Sequence, residues 1–136
     1  MQSVLKISEA ASLGLHSMMV LARDPARKLS VGELSKILRS SEAHLAKVLQ
    51  RLAKVRLVKS TRGPRGGFLL GRPAAKINLL EVYEAIEGPL AMTKCLLPKP
   101  ICCGGKCVFG DVIKNVNRQI SEHLAMTKLS SQNLEE

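Results

Sequence analysis

Residues 30–70 constrain the fold more than any other stretch. Ser30-Val-Gly-Glu33 is a capping box that opens a short helix predicted to run through Leu38, with Leu34, Ile37 and Leu38 inward. Arg39-Ser40-Ser41 forms a tight polar turn, and Ser41 caps a further helix to about Lys54. Two short helices joined by so short a turn make a helix-turn-helix. In the second of them Leu45, Val48, Leu49 and Leu52 form the stripe to be packed. His44, Lys47 and Arg51 fall on another face at roughly 100° per residue. Leu57–Thr61 and Gly67–Leu70 are β-type runs flanking Arg62-Gly-Pro-Arg-Gly-Gly67, a predicted hairpin whose tip carries two arginines. The glycine-rich tip is followed by no Gly-Lys-Ser/Thr and no helix, which excludes a nucleotide P-loop. A hairpin directly after a helix-turn-helix is a winged helix. One side of its second helix packs, and the other offers long donors to base edges and phosphates. Arg62 and Arg65 in the wing are placed to reach the DNA backbone or an adjacent minor groove.

The flanking segments complete a mainly α architecture. Ser8 caps a first helix to about Asp24, with Ala11, Leu15, Met18 and Ala22 on one stripe, widened by Leu13, Met19, Val20 and Leu21. Glu9, Ser12 and His16 stack on its narrow polar face. Asn78-Leu-Leu-Glu81 is a second capping box, opening a helix to Glu87 with Val82 and Ile86 inward and Gly88-Pro89 closing it. From Val108 or Phe109 a long helix is predicted to about Ala125. Ile113, Val116, Ile120 and Leu124 form its narrow seam, of the kind that packs against a symmetry mate. Leu129–Glu136 reads as polar and fraying. The expected fold is therefore mainly α: a winged helix-turn-helix with a two-stranded wing and a long C-terminal dimerisation helix. Its expected divisions are 1–90 for DNA binding, 91–107 for a cysteine-rich loop and 108–136 for the dimerisation helix and tail. With no Trp, one Tyr and two Phe, the core must be built from aliphatic side chains. The formal net charge of +10, with basic residues clustered between Lys36 and Lys76, favours a polyanionic partner.

All four cysteines lie in Cys95–Cys107, which reads C-L-L-P-K-P-I-C-C-G-G-K-C. Its prolines and glycines exclude a helix or a central strand. There is no run of eighteen apolar residues, and Met1–Leu15 has no signal-peptide pattern. The expected location is thus the cytoplasm, with no membrane partner, where thiols stay reduced. Clustered cysteines there read as metal or redox ligands rather than a disulfide knot. A structural zinc is one alternative, although the spacing is irregular for paired zinc knuckles. A metal-free thiol switch pairing Cys102 or Cys103 with Cys107 is another. His16, His44 and His123 form no nucleophile pattern with any cysteine, so no enzyme is expected.

His44–Val58 (HLAKVLQRLAKVRLV), Arg62–Ala74 (RGPRGGFLLGRPA) and Ile77–Gly88 (INLLEVYEAIEG), followed by the cysteine loop, resemble the bacterial winged-helix regulators of the IscR and NsrR type, the Rrf-two family. The resemblance covers nearly the whole chain. It implies a homodimeric transcription factor, often a repressor, whose affinity for a double-stranded DNA operator depends on a two-iron or four-iron iron–sulfur cluster. By that resemblance Cys95, Cys102 and Cys107 are the cluster thiolates, with gaps of six and four residues, and Cys103 is an alternative to Cys102. Some members place a histidine three residues after the last cysteine, where this chain has Gly110. Others draw a ligand from the first helix, at positions matching Ser12 and His16. His16 is the better donor, with Ser12 or Glu9 behind it. The DNA-contact set expected is Ser41, Ala43, His44, Lys47, Arg51, Arg62 and Arg65. Ala43 carries no hydrogen-bonding side chain and Ala46 no carboxylate for cytosine, so the operator should differ from those of better-known relatives.

Overall fold

The structure, a computed structural model, describes residues 3–90, 95–102 and 107–131. Helix α1 (Glu9–Arg23) begins where the Ser8 hydroxyl accepts the Ala11 N–H at 3.1 Å. Helix α2 (Val31–Leu38) has the full capping box. Ser30 Oγ accepts the Glu33 N–H at 3.1 Å, and Glu33 Oε1 accepts the Ser30 N–H at 3.3 Å. Arg39 ends α2 in the left-handed conformation, with φ 53° and ψ 47°. The chain thereby reverses into Ser41, whose hydroxyl accepts the His44 N–H and starts helix α3 (Glu42–Lys54). The packed stripe of α3 is as expected: Leu45, Val48, Leu49 and Leu52 are each at most 2% exposed. Ile37 is not inward; it is 49% exposed, and Ser35 is buried in its place. Leu34, Leu38 and Ser35 span one arc of roughly 100° on α2, and Ile37 falls beyond its far edge.

Strands β1 (Val58–Thr61) and β2 (Gly67–Leu70) pair antiparallel, with Val58 opposite Leu70 and Thr61 opposite Gly67. Leu57 stays outside β1, buried, and its carbonyl accepts the Gly71 N–H at 2.8 Å. Leu29 pairs with the free side of β2, giving its N–H to the Phe68 carbonyl at 3.2 Å and accepting the Phe68 N–H at 2.8 Å. The wing is thus anchored to the segment before α2, an attachment the sequence pattern did not predict. Gly71 permits the close approach behind the wing, because a Cβ there would lie 2.1 Å from the Arg56 carbonyl oxygen.

A 3₁₀ turn at Ala74–Lys76 leads into helix α4 (Leu79–Glu87), which packs extensively on α1. Helix α5 (Val112–Met126) starts later than expected. Residues before it turn instead, with the Gly110 N–H on the Cys107 carbonyl and the Val112 N–H on the Phe109 carbonyl. Within the predicted seam Leu124 is buried, Ile113 and Ile120 are half-buried, and Val116 is exposed. Full burial is therefore reached only at the C-terminal end of the seam. Beyond α5 the chain returns to the core rather than fraying at Leu129. The Leu79 N–H bonds the Thr127 carbonyl at 3.0 Å, the Leu129 N–H bonds the Ile77 carbonyl at 2.8 Å, and Leu129 is 1% exposed. The rest of the expected tail, residues 132–136, lies outside the described residues. Among the described residues no helix is long and apolar enough to cross a membrane.

Two measurements check this framework. Leu129→Ala should cost about 2–5 kcal/mol, as truncation of a buried leucine does, read from urea unfolding; a fraying tail would lose almost nothing. Glu81 closes the α4 capping box by accepting the Asn78 N–H at 3.0 Å and Arg72 Nη2 at 3.1 Å. Partial burial pushes its carboxyl up, but the Asn78 and Arg72 hydrogen bonds and the charges of Arg72 and Lys128 outweigh that and hold it below its ordinary value of 4.5. A depressed folded-state value favours the ionised, folded form. This contribution is full above about 4.5 and is lost as pH falls through the folded-state value. Glu81→Gln should remove that part of the acid dependence, seen as a shallower fall of the urea midpoint across the acid range.

Candidate nucleic-acid interface and cysteine loop

Burying one stripe of α3 turns the opposite side of its first two turns outward. Ser41, Ala43 and Lys47 are exposed there and His44 is half-buried. Ser41 also serves as the α3 cap, so its oxygen already accepts one N–H. In the wing turn Arg62 and Arg65 are both exposed, and Gly63 takes φ 106° to make the bend. Among the described residues no carboxylate pairs with Lys47, Arg62 or Arg65, leaving three cations free to meet phosphates. Arg39 and Arg56, which the sequence pattern did not single out, add exposed cations just before and just after α3. Both hold positive φ, 53° and 63°, where glycine or asparagine is more usual. That signal appears only in the backbone angles.

Two of the expected DNA-facing side chains have partners inside the chain. Arg51 Nη1 donates to the Ile86 carbonyl in the last turn of α4 at 3.0 Å. His44 Nδ1 lies 3.7 Å from Glu9 Oε1 at the start of α1. The stacked polar stripe of α1 therefore divides. Glu9 turns toward α3, while His16 Nδ1 lies 2.7 Å from the Ser12 carbonyl and 3.3 Å from the Ser12 hydroxyl. A carbonyl can only accept, so Nδ1 donates in this contact, and in the neutral ring Nε2 of the exposed imidazole is then the lone-pair nitrogen. A metal-ligating histidine is prepared in this way, its other ring nitrogen donating to a backbone carbonyl.

In the cysteine loop Cys95 and Cys107 are half-buried and Cys102 is exposed; all three are free thiols. Cys103 lies outside the described residues. Cys95 Sγ accepts the Leu97 N–H and Cys107 Sγ accepts the Phe109 N–H, each at 3.4 Å. Both bonds run from the amide two residues on, so the local turns aim backbone dipoles at sulfur. Backbone N–H donors to ligating sulfurs are among the groups that tune the potential of an iron–sulfur cluster. The donor chemistry of these two cysteines fits such a group. Among the described residues, however, no three His, Cys, Asp or Glu side chains converge closely enough to hold a metal ion. Among the described residues, His16 and the loop thiols therefore form no group of three such side chains.

Comparison with known proteins agrees with this architecture. Over 90 residues the chain is 36% identical to the HTH-type transcriptional regulator IscR of Xenorhabdus nematophila, covering 65% of this chain and 54% of that one. The chain spans less than two thirds of the length of the curated relatives it matches. Its fold is similar to that of CymR, the global cysteine regulator of B. subtilis, with a TM-score of 0.76, 26% identity, and coverage of 94% of this chain and 98% of that one. T. potens IscR matches with a TM-score of 0.73, 26% identity, and coverage of 93% and 85%. These relatives are transcriptional regulators, not enzymes. With residues 7–131 matching the family's profile, described as that of an iron-dependent transcriptional regulator, the chain belongs to the Rrf2 family.

Proposed function

We propose that this chain is a cytoplasmic, homodimeric DNA-binding regulator, acting as a repressor, whose operator affinity is controlled by an iron–sulfur cluster held at Cys95–Cys107. The observation that carries the DNA-binding part is the division of α3. Its apolar stripe is buried, while Lys47 and the wing residues Arg62 and Arg65 are exposed with no carboxylate partner among the described residues. In this reading residues 1–90 bind DNA, 91–107 hold the cluster, and 108–136 supply the dimer helix and tail. Exposed Val116 in the α5 seam supports pairing with a second copy, as does the groove of about 450 Å³ between the N-terminal segment and α5.

Cys95, Cys102 and Cys107 would be the thiolate ligands, and His16 Nε2 the fourth donor, reached across the dimer. Cys103 is the substitute for Cys102, and Ser12 the weaker substitute for His16. Glu9 is engaged at His44 and ranks behind both. When bound, such a cluster supplies a labile, redox-active group to the loop. The protein's own part is to hold the thiolates with backbone N–H donors, to fix the His16 tautomer through the Ser12 carbonyl, and to couple the ordered loop to the long helix and to the first helix of the partner, which alters the spacing or rigidity of the two recognition helices. A second reading, a metal-free thiol switch, is favoured by one observation: Cys95, Cys102 and Cys107 are free, and Cys102 is open to solvent.

Anaerobic purification with iron, sulfide and absorbance analysis separates the two. The cluster reading expects a coloured protein that loses iron and colour together when Cys95, Cys102 or Cys107 becomes Ser, and retains iron poorly as His16→Ala. A colourless protein holding zinc or no metal would sink it. Colourless protein whose DNA affinity responds reversibly to a disulfide-forming oxidant would establish the thiol switch instead. For the DNA face, Arg62→Ala should weaken binding and lower the slope of log affinity against log salt by about one. Unchanged affinity at every salt concentration would remove Arg62 from the interface.

A further inference from the structure

The loop that would carry the signal begins just past the C-terminal end of α4. That end is an electrostatic problem. The last turn of α4 presents unpaired carbonyls at the negative pole of the helix, carries Glu84 and Glu87, and has no basic residue of its own. The Gly88 N–H satisfies the Glu84 carbonyl at 2.8 Å. The Ile86 carbonyl is satisfied from another element: Arg51, in the last turn of α3, donates Nη1 to it at 3.0 Å. The first helix is tied to the same turn, since the Ser8 hydroxyl donates to Glu87 Oε1. From this turn the chain runs through Pro89 and Leu90 toward Cys95.

We propose that Arg51 is a positioning residue rather than a DNA contact, and that its hydrogen bond to the Ile86 carbonyl couples the root of the cysteine loop to the recognition helix. This rests on the reading of the chain as a DNA-binding regulator and adds the route by which loop and helix sense each other. Three observations carry it. Arg51 lies in the last turn of α3, whereas Ser41, Ala43, His44 and Lys47 lie at its cap and in its first two turns. Its guanidinium, on a residue that is exposed overall, is held through Nη1 by a neighbouring helix. The carbonyl it holds belongs to a residue only 6% exposed, so moving α4's end moves an ordered group and not a loose one. The bond is charge-assisted, and its acceptor sits at the pole of a helix dipole, both of which strengthen it. A rearrangement of residues 95–107 that displaced Gly88 and Pro89 would strain this bond and so bear on the orientation of α3. Coupling is reciprocal, so DNA bound to α3 must in turn act on α4's end.

That reciprocity gives a test independent of which group the loop holds. The full chain is mixed with a duplex selected from a random-sequence library by binding. Amide hydrogen exchange is then followed at Glu87, Gly88 and Leu97, in wild type, Arg51→Met and Arg51→Lys, with circular dichroism and thermal melting to establish folding. In wild type, DNA should slow exchange at these amides by roughly fivefold or more. Arg51→Met keeps the aliphatic stem and should abolish that protection while leaving the salt slope of DNA binding at its wild-type value. Arg51→Lys retains a charged donor and should restore protection. Should Arg51→Met fail to fold, the wild-type and Arg51→Lys protections decide the matter alone. DNA binding without protection at α4's end, protection that survives Arg51→Met, or a salt slope that falls by about one in Arg51→Met overturns the proposal and leaves the DNA-binding reading intact. Failure of the wild-type chain to bind any duplex overturns both.

Discussion

The burial of one side of α3 is the constraint on which the rest of the molecule depends. Leu45, Val48, Leu49 and Leu52 are almost fully removed from water, a contribution of about 1.5–3 kcal/mol for each such side chain. Because a helix is rigid at 100° per residue, packing this stripe fixes where every other α3 side chain points. Lys47 is held outward by the same packing that holds Val48 in. The Ser41 cap and the left-handed Arg39 set where the helix begins, and so which residues occupy its exposed first turns. The wing is fastened to the same body at two places, Leu29 against Phe68 and Gly71 against Leu57, so its arginines are carried on a braced hairpin rather than a loose loop.

Polar groups do a different job, joining elements end to end. Three contacts meet where α1, α3 and α4 come together: Ser8 with Glu87, Glu9 with His44, and Arg51 with the Ile86 carbonyl. Exposed ion pairs contribute little to stability, and the Glu9–His44 contact at 3.7 Å is of that kind. The Arg51 bond differs, being charge-assisted and aimed at a helix end with no cation of its own. Its value lies in fixing relative position. In sequence the cysteine loop follows this junction, a few residues past the end of α4.

The C-terminal third shows how a helix can be half committed. Leu124 is buried against the winged unit, and Leu129 is drawn into the core by the backbone pairing of residues 127–129 with 77–79. Toward its N-terminus α5 is less covered by the described residues: Val112 and Val116 are 57% and 40% exposed. An apolar seam left open at one end, next to a groove edged by Leu5 and Ile7, is the geometry that supports the proposed dimer.

Much of the fold was legible in one dimension because its signals are local. Ser8, Ser30, Ser41 and Asn78 each cap the helix expected of them, and the hairpin follows from its glycines and β-type runs. The α3 stripe follows from the helical period. The misses concern groups whose environment is set by distant residues. Ile37 has the composition of a core residue but the wrong azimuth on α2. Leu129 sits in a polar tail yet is buried, because Ile77, far away in sequence, offers it a carbonyl and a hydrophobic site. At the candidate site the sequence located the cysteines, the wing arginines and the α1 stripe. Nothing local could say that Glu9 would turn to His44 or that Arg51 would satisfy a carbonyl thirty-five residues away. By itself, then, the sequence determined the helices, the wing and the chemistry each element carries, since capping and periodicity act within a few residues. Only the tertiary structure decided which polar groups are spent on one another and which stay free for DNA or metal, because that depends on which helix ends packing brings together.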